Sequence, residues 1–190
     1  MTATLGDLVS GDELRIASVL RAKKFDEKTV TGTVKARAMK REAEEHDGWV
    51  LAKENKTSLR MQRPKPEDRQ LEDDIWSLFY RMGFKEMNAD RNLMLIGKDG
   101  LTKRQLDVFA KDDETVFIVE CTHSRDGGAK SIKALLDKIE AIREDVIAAV
   151  RTKFGRDAKL KVKLAIATRN VDLRTADRER AWAGRSGGAT

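Results

Sequence analysis

The segment from Val116 to Thr168 constrains the fold more than any other part of the chain. "VFIVECT" (116–122) and "LKVKLAIAT" (160–168) are short apolar runs of strand character. Between them, over about residues 130–154, Ile132, Leu135, Leu136, Ile139, Ile142, Val146, Ile147 and Val150 recur with helical spacing until Gly155 ends the run. A strand, a long helix and another strand join most simply as a right-handed crossover between parallel neighbours. The predicted class is therefore α/β, with helices flanking a mixed central sheet.

The upstream sequence fits that plan. Pro66 suits a first helical position, and Glu67 and Asp68 suit the positive end of the helix dipole. Leu71, Ile75, Leu78, Phe79 and Met82 then make one apolar helical face, closed by Gly83. Strands are predicted at about 85–96, 104–111 and 115–122, the last two joined by the turn "KDDE". The only prolines, Pro64 and Pro66, divide this core (64–170) from an N-terminal segment (1–63). In that segment helices are predicted over 11–24 and 27–45, followed by two short strands around Glu54-Asn55-Lys56. Residues 171–190 read as a charged, Gly-rich tail that resembles the opening helix of a further domain.

Composition narrows the function classes. Lys and Arg outnumber Asp and Glu by 38 to 32, a net charge of +6 that suits a polyanionic partner such as DNA. A single cysteine excludes an internal disulfide, and with two histidines it makes a structural zinc site a poor fit. No apolar run approaches the length of a bilayer span, and the first residues lack the basic start and apolar stretch of a signal peptide. A cytoplasmic protein is expected.

The chemistry concentrates in "RQLDVFAKDDETVFIVECTHS" (104–124). Alternation puts Gln105, Asp107, Phe109 and Lys111 on one strand face, and Val116, Ile118, Glu120 and Thr122 on one face of the next. Paired as a hairpin, the strands would bring Asp107 and Glu120 together, where two carboxylates repel unless a cation sits between them. Oxygen ligands favour Mg²⁺ or Mn²⁺, which can activate water and stabilise charge on a phosphate. The bland alternative is ordinary surface charge.

A helix bearing a glutamate, a strand with Asp, a strand with Glu-x-Lys, then helix and strand make up the core of the PD-(D/E)XK nuclease superfamily. "LEDDIWSLFYRMGF", "RQLDVFA" and "FIVECTHS" are most similar to its Mrr-type restriction endonuclease branch, over about residues 67–170. The resemblance implies a restriction-endonuclease-like core with a small N-terminal α/β appendage, and DNA hydrolysis in restriction or defence. It implies Asp107 and Glu120 as metal ligands, Glu72 as the assisting helical carboxylate, and a minor role for Gln105. A homodimer would supply the two sites that cutting both strands commonly needs.

The departure from the pattern is Thr122, which stands where the motif has lysine. A hydroxyl cannot supply that positive charge. Lys130 and Lys133, early on the next helix, and Lys111 are the candidate replacements. A catalytically inactive DNA-binding relative and a protein-interaction domain are the alternatives. For DNA contact, Arg60, Arg63 and Lys65 cluster just before the core helix, and Arg104 precedes the motif aspartate. His123 reads as a polar strand-end residue, Cys121 as a small core residue without a base, and Trp76 as packing.

Overall fold

The computed structural model describes residues 2–156 and 159–183. In chain order the elements are β1 (Thr4–Leu5), β2 (Leu8–Ser10), α1 (Gly11–Arg21), β3 (Phe25–Thr31), α2 (Val34–His46), β4 (Val50–Glu54) and β5 (Ser58–Pro64). Then follow α3 (Glu67–Arg81), β6 (Glu86–Asn88), β7 (Leu93–Ile96), β8 (Lys103–Leu106), β9 (Val108–Lys111) and β10 (Thr115–His123). The chain continues through β11 (Ala129–Lys130), α4 (Lys133–Phe154), β12 (Lys161–Arg169), β13 (Asp172–Leu173) and α5 (Thr175–Ala183).

A five-stranded mixed sheet in the order β12-β10-β9-β6-β2 forms the centre. β10 and β12 pair in parallel from Thr115↔Lys161 to His123↔Arg169, as the strand–helix–strand pattern requires. β9 and β10 form the antiparallel hairpin expected around "KDDE", with Val108 opposite Val119. Alternate residues then face different helices. Phe109, Val116 and Ile118 pack with Ile142, Val146 and Val150 of α4. Val108, Ala110 and Val119 pack on the other side with Trp76 and Phe79 of α3 and Leu14 and Ala17 of α1. Each buried Val, Leu, Ile or Phe among these contributes about 1.5–3 kcal/mol of hydrophobic stabilisation, and the alanines less.

The boundary at residue 63 does not separate two units. β2 is the edge strand of the central sheet, with Leu8 opposite Asn88 and Ser10 opposite Glu86. β1 pairs with β7 in a second sheet, ordered β1-β7-β8, and Ala3 is fully buried in the main core. Only residues 25–64 form a separate small sheet, β3-β5-β4, around Val30, Leu59 and Met61.

Three further expectations change. The helix predicted over 27–45 is β3 followed by α2. The β-branched Thr29, Val30 and Thr31 favour extended backbone, and Gly32 turns the chain at φ 134°, which a side chain would resist. Thr33 then caps α2 by accepting from the Ala36 N–H. The single strand predicted over 85–96 is split between two sheets, as β6 and β7. The predicted tail is partly ordered into the core: buried Asp177 of α5 accepts from the Ile132 N–H at 3.1 Å, just ahead of α4. Residues 184–190 lie outside the described part of the chain. No described helix is long and apolar enough to cross a membrane.

Because residues 3–21 complete both sheets, a chain starting at residue 64 should give no cooperative thermal transition by circular dichroism. The full chain should melt cooperatively. A cooperative melt of the shorter chain would restore the boundary.

Candidate active site

The site forms where the chain changes sheets. After Asn88 it leaves the central sheet for β7 and β8, and it returns at Val108. Asp107 is the residue of return. The backbone there has left the ladder of β8 and not yet joined that of β9, so its polar groups need other partners. Fully buried Asn88 provides them: its Oδ1 accepts from the Phe109 N–H at 3.0 Å and its Nδ2 donates to the Asp107 carbonyl at 3.2 Å. Trp76 of α3 donates from Nε1 to the Asn88 carbonyl at 3.0 Å, which ties the helix to the same point.

The Asp107 carboxylate caps the neighbouring strand. The β9–β10 pairing ends at Val108–Val119, and Asp107 Oδ2 accepts from the Cys121 N–H at 2.7 Å. Glu120, one residue earlier on β10, is 2% exposed. Its Oε2 accepts from Lys138 Nζ at 2.5 Å, and the same ammonium donates to the Gln105 carbonyl at 2.9 Å. Glu120 Oε1 is buried without a hydrogen-bond partner, and so is Oε2 of Glu72 on α3.

Burial raises the proton affinity of all three carboxylates, and the Asp107 charge adds to the rise at Glu72 and Glu120. Glu72 is pushed up to about 7, first by desolvation and then by the Asp107 charge, with Arg91 opposing. Glu120 is raised by desolvation, with the Lys138 hydrogen bond opposing and Asp107 reinforcing. Asp107 is raised by desolvation against the Cys121 N–H and Lys138. Burial, then these three charges, also drives the Cys121 thiol far up, which removes it as a nucleophile.

The expected residues divide clearly. Asp107, Glu120 and Glu72 are brought within electrostatic reach of one another. Lys130 reaches the motif position, donating to Thr122 Oγ1 at 3.0 Å and to the His123 carbonyl at 2.9 Å. Lys133 does not: it pairs at 2.8 Å with Asp137, one turn along its own exposed helix face. Lys111 is held at the other end of its strand by Glu86 at 2.7 Å. Lys65 is unavailable to DNA, being buried with its ammonium 2.7 Å from Asp73. Arg63 lies over the Trp49 ring, 4.8 Å from its centroid, and donates to the Asp47 carbonyl. Arg60 and Arg104 are exposed, Arg60 lying 3.4 Å from Glu27. His123 Nε2 lies 3.7 Å from Glu67.

Lys138, Arg91 and Asn88 were missed. Lys138 had a signal: Leu135, Lys138 and Ile142 stand at offsets of 3 and 4, so this lysine interrupts the apolar stripe of α4.

The donor chemistry suits a hard divalent cation, because two buried carboxylate oxygens have no hydrogen-bond partner and the Asp107 charge repels that of Glu72. Among the described residues no three His, Cys, Asp or Glu side chains converge closely enough to cage an ion. Mg²⁺ commonly takes only one or two carboxylates and fills its shell with water and phosphate oxygens, which these residues allow.

No family model matches the chain, and no curated protein matches it significantly. Among solved structures it is similar to AF1548, a protein of unknown function, at 16% identity and a TM-score of 0.41, over 60% of this chain and 52% of that one. It is similar to VC1899 from Vibrio cholerae at 16% identity and a TM-score of 0.44, over 91% of this chain and 45% of that one. The chain thus spans about half the length of each.

The raised Glu72 sets a sign for pH dependence. Between its ordinary 4.5 and about 7 the folded state holds a proton that the unfolded state releases, so stability falls as pH rises through that window. Glu72→Gln, which mimics the protonated form, should stabilise the metal-free protein by about 1–2 kcal/mol at pH 8, allowing for solvent screening. It should do little at pH 5. Thermal melts at both pH values check this.

Proposed function

We propose that this chain is a divalent-metal-dependent nuclease that hydrolyses DNA phosphodiester bonds, with restriction or another defence against foreign DNA as its setting. One observation carries the reading: the desolvated carboxylates of Glu72 on α3 and Glu120 on β10 both feel the charge of Asp107 at the β8–β9 junction, with Lys138 held against Glu120. Asp107 and Glu120 would hold Mg²⁺ or Mn²⁺, with Glu72 assisting. When bound, the ion would supply Lewis acidity toward water and phosphate oxygens.

The chain's own groups do the rest. Asn88 and the Cys121 N–H fix Asp107 on both its backbone and carboxylate sides. Glu120, whose Oε2 accepts from Lys138, offers its Oε1, which has no hydrogen-bond partner. Lys138 and Lys130 restore, from α4 and β11, the positive charge that Thr122 cannot give. Charge placed where a transition state becomes anionic is worth orders of magnitude in rate in a desolvated site. Arg60 faces away from Leu59 and Met61 by strand alternation, on the sheet face opposite α2, and is available to a phosphate backbone.

A second reading, DNA binding without cleavage, is favoured by Thr122 alone. Plasmid cleavage in Mg²⁺ and in Mn²⁺ separates the two. Wild type should cut, Asp107→Asn should lose at least about 10³-fold, and Lys138→Met about 10²-fold or more. No cutting by wild type, with DNA still bound, would leave the non-catalytic reading standing.

The two arginines expected to touch DNA should now behave differently. Arg60→Glu should weaken binding to all duplexes alike and flatten its salt dependence. Arg63→Glu should instead lower the stability of the small sheet, because it removes the cation from the Trp49 face. Gel shifts over a salt series, beside thermal melts, check both.

A further inference from the structure

Asp73, the residue after Glu72, is 3% exposed and meets three cations. Arg21 Nη1 donates to its Oδ1 at 3.0 Å, while Lys65 Nζ at 2.7 Å and Arg91 Nη2 at 2.5 Å donate to its Oδ2. Lys65 also donates to the Leu20 and Arg21 carbonyls, at 3.3 and 3.2 Å, closing the end of α1. One carboxylate cannot balance three cations, two of them buried and the third, Arg91, partly so. The remaining charge points one way: Arg91 Nε lies 3.3 Å from Glu72 Oε2.

That contact is close but unaligned. Both atoms are buried and neither makes a hydrogen bond, so Glu72 is held by charge while its oxygen remains open to another partner. The backbone of Arg91 is fixed independently. Gln105 Nε2 donates to its carbonyl at 2.6 Å, Asn88 Nδ2 donates to the Asp90 carbonyl at 2.6 Å, and Asp90 Oδ1 accepts from the Asn92 N–H at 2.7 Å. A guanidinium aimed from a fixed loop and gripped on its far side has little freedom.

We propose that Arg91 is a positioning residue: clamped by Asp73, it aims the Glu72 carboxylate into the site. The candidate cation site is thereby built in part from α1 and Lys65, outside the strand–helix core. This rests on reading the carboxylates as cation ligands. Two effects oppose each other when Arg91 is replaced. Loss of its positive charge alone would tighten cation binding, whereas loss of aim would weaken it.

The test is a calorimetric titration of the full chain with Mn²⁺, on wild type, Arg91→Gln, Glu72→Gln and the double variant, with melting curves alongside. Arg91→Gln should bind Mn²⁺ about tenfold more weakly than wild type. In the Glu72→Gln background the same change should alter affinity less than about twofold, because the group it acts through is gone. Unchanged or tighter binding by Arg91→Gln would overturn the proposal. An equal loss in both backgrounds would also overturn it, by showing a general structural effect. Should Arg91→Gln fail to fold, Arg91→Lys keeps the charge but cannot bridge two carboxylates. It should weaken binding about threefold, and wild-type affinity would overturn the proposal. No Mn²⁺ binding by wild type would remove this inference and the nuclease reading together, whereas binding by wild type with an unaffected Arg91 variant would remove this one alone.

Discussion

The buried Asp73 carboxylate is the point on which the architecture turns. It joins the end of α1, the linker residue before α3, α3 itself and the loop between β6 and β7. The three segments other than α3 each approach with a positive charge that would be costly to bury alone. Removing the shared anion would therefore leave three cations without their partner, so the four segments hold their relative places together or not at all. Glu72, the residue before Asp73, lies 3.3 Å from Arg91 of this knot.

Those carboxylates work against the fold that holds them. Glu72, Asp107 and Glu120 are desolvated, and Asp107 repels the other two, which favours the protonated forms. A protein selected only for stability would place apolar residues there. The cost is partly offset by Lys138, by the Cys121 N–H and by Arg91, each answering a single carboxylate. What remains is one oxygen on Glu120 and one on Glu72 without a hydrogen bond, the latter met only by the charge of Arg91, and this sets the region apart from an ordinary ion-pair network.

Much of the core was legible because its signals are local. The hairpin at "KDDE", the apolar face of α3 and the stripe of α4 follow from periodicities of 2 and 3.6, and the parallel pairing of β10 with β12 follows from their connection. Asp107 and Glu120 were legible for the same reason, as charges on otherwise apolar strands. The partners that hold them were not. Arg21, Lys65, Asn88, Arg91 and Lys138 take their roles from segments distant in sequence, and nothing in the local pattern says where a long cationic side chain ends. Lys65 shows the error most clearly: in sequence it is one of a basic cluster, and in space it is interior. The small N-terminal sheet was misread because residues 27–45 as a whole are rich in Lys, Arg, Ala and Glu, whereas the β-branched run Thr29–Thr31 pairs as a strand where Met61 and Leu59 offer a core to Val30.

The excursion from Asn88 to Val108 has a consequence for tolerance to change. Its two ends are stitched side by side by Asn88, and Gln105 fastens the descending strand to the loop at Arg91. The four residues Ala89–Asn92 between β6 and β7 span only a few peptide lengths, at roughly 3.5 Å each, so they act as a fixed spacer between two sheets. Most surface loops absorb an inserted residue at little cost. Here one extra residue would alter a gap rather than lengthen a loop, and its effect would fall on the relative placement of the sheets. The turn at 97–102, at the far end of the same excursion, carries no such burden and is where the chain can vary in length without disturbing the carboxylates.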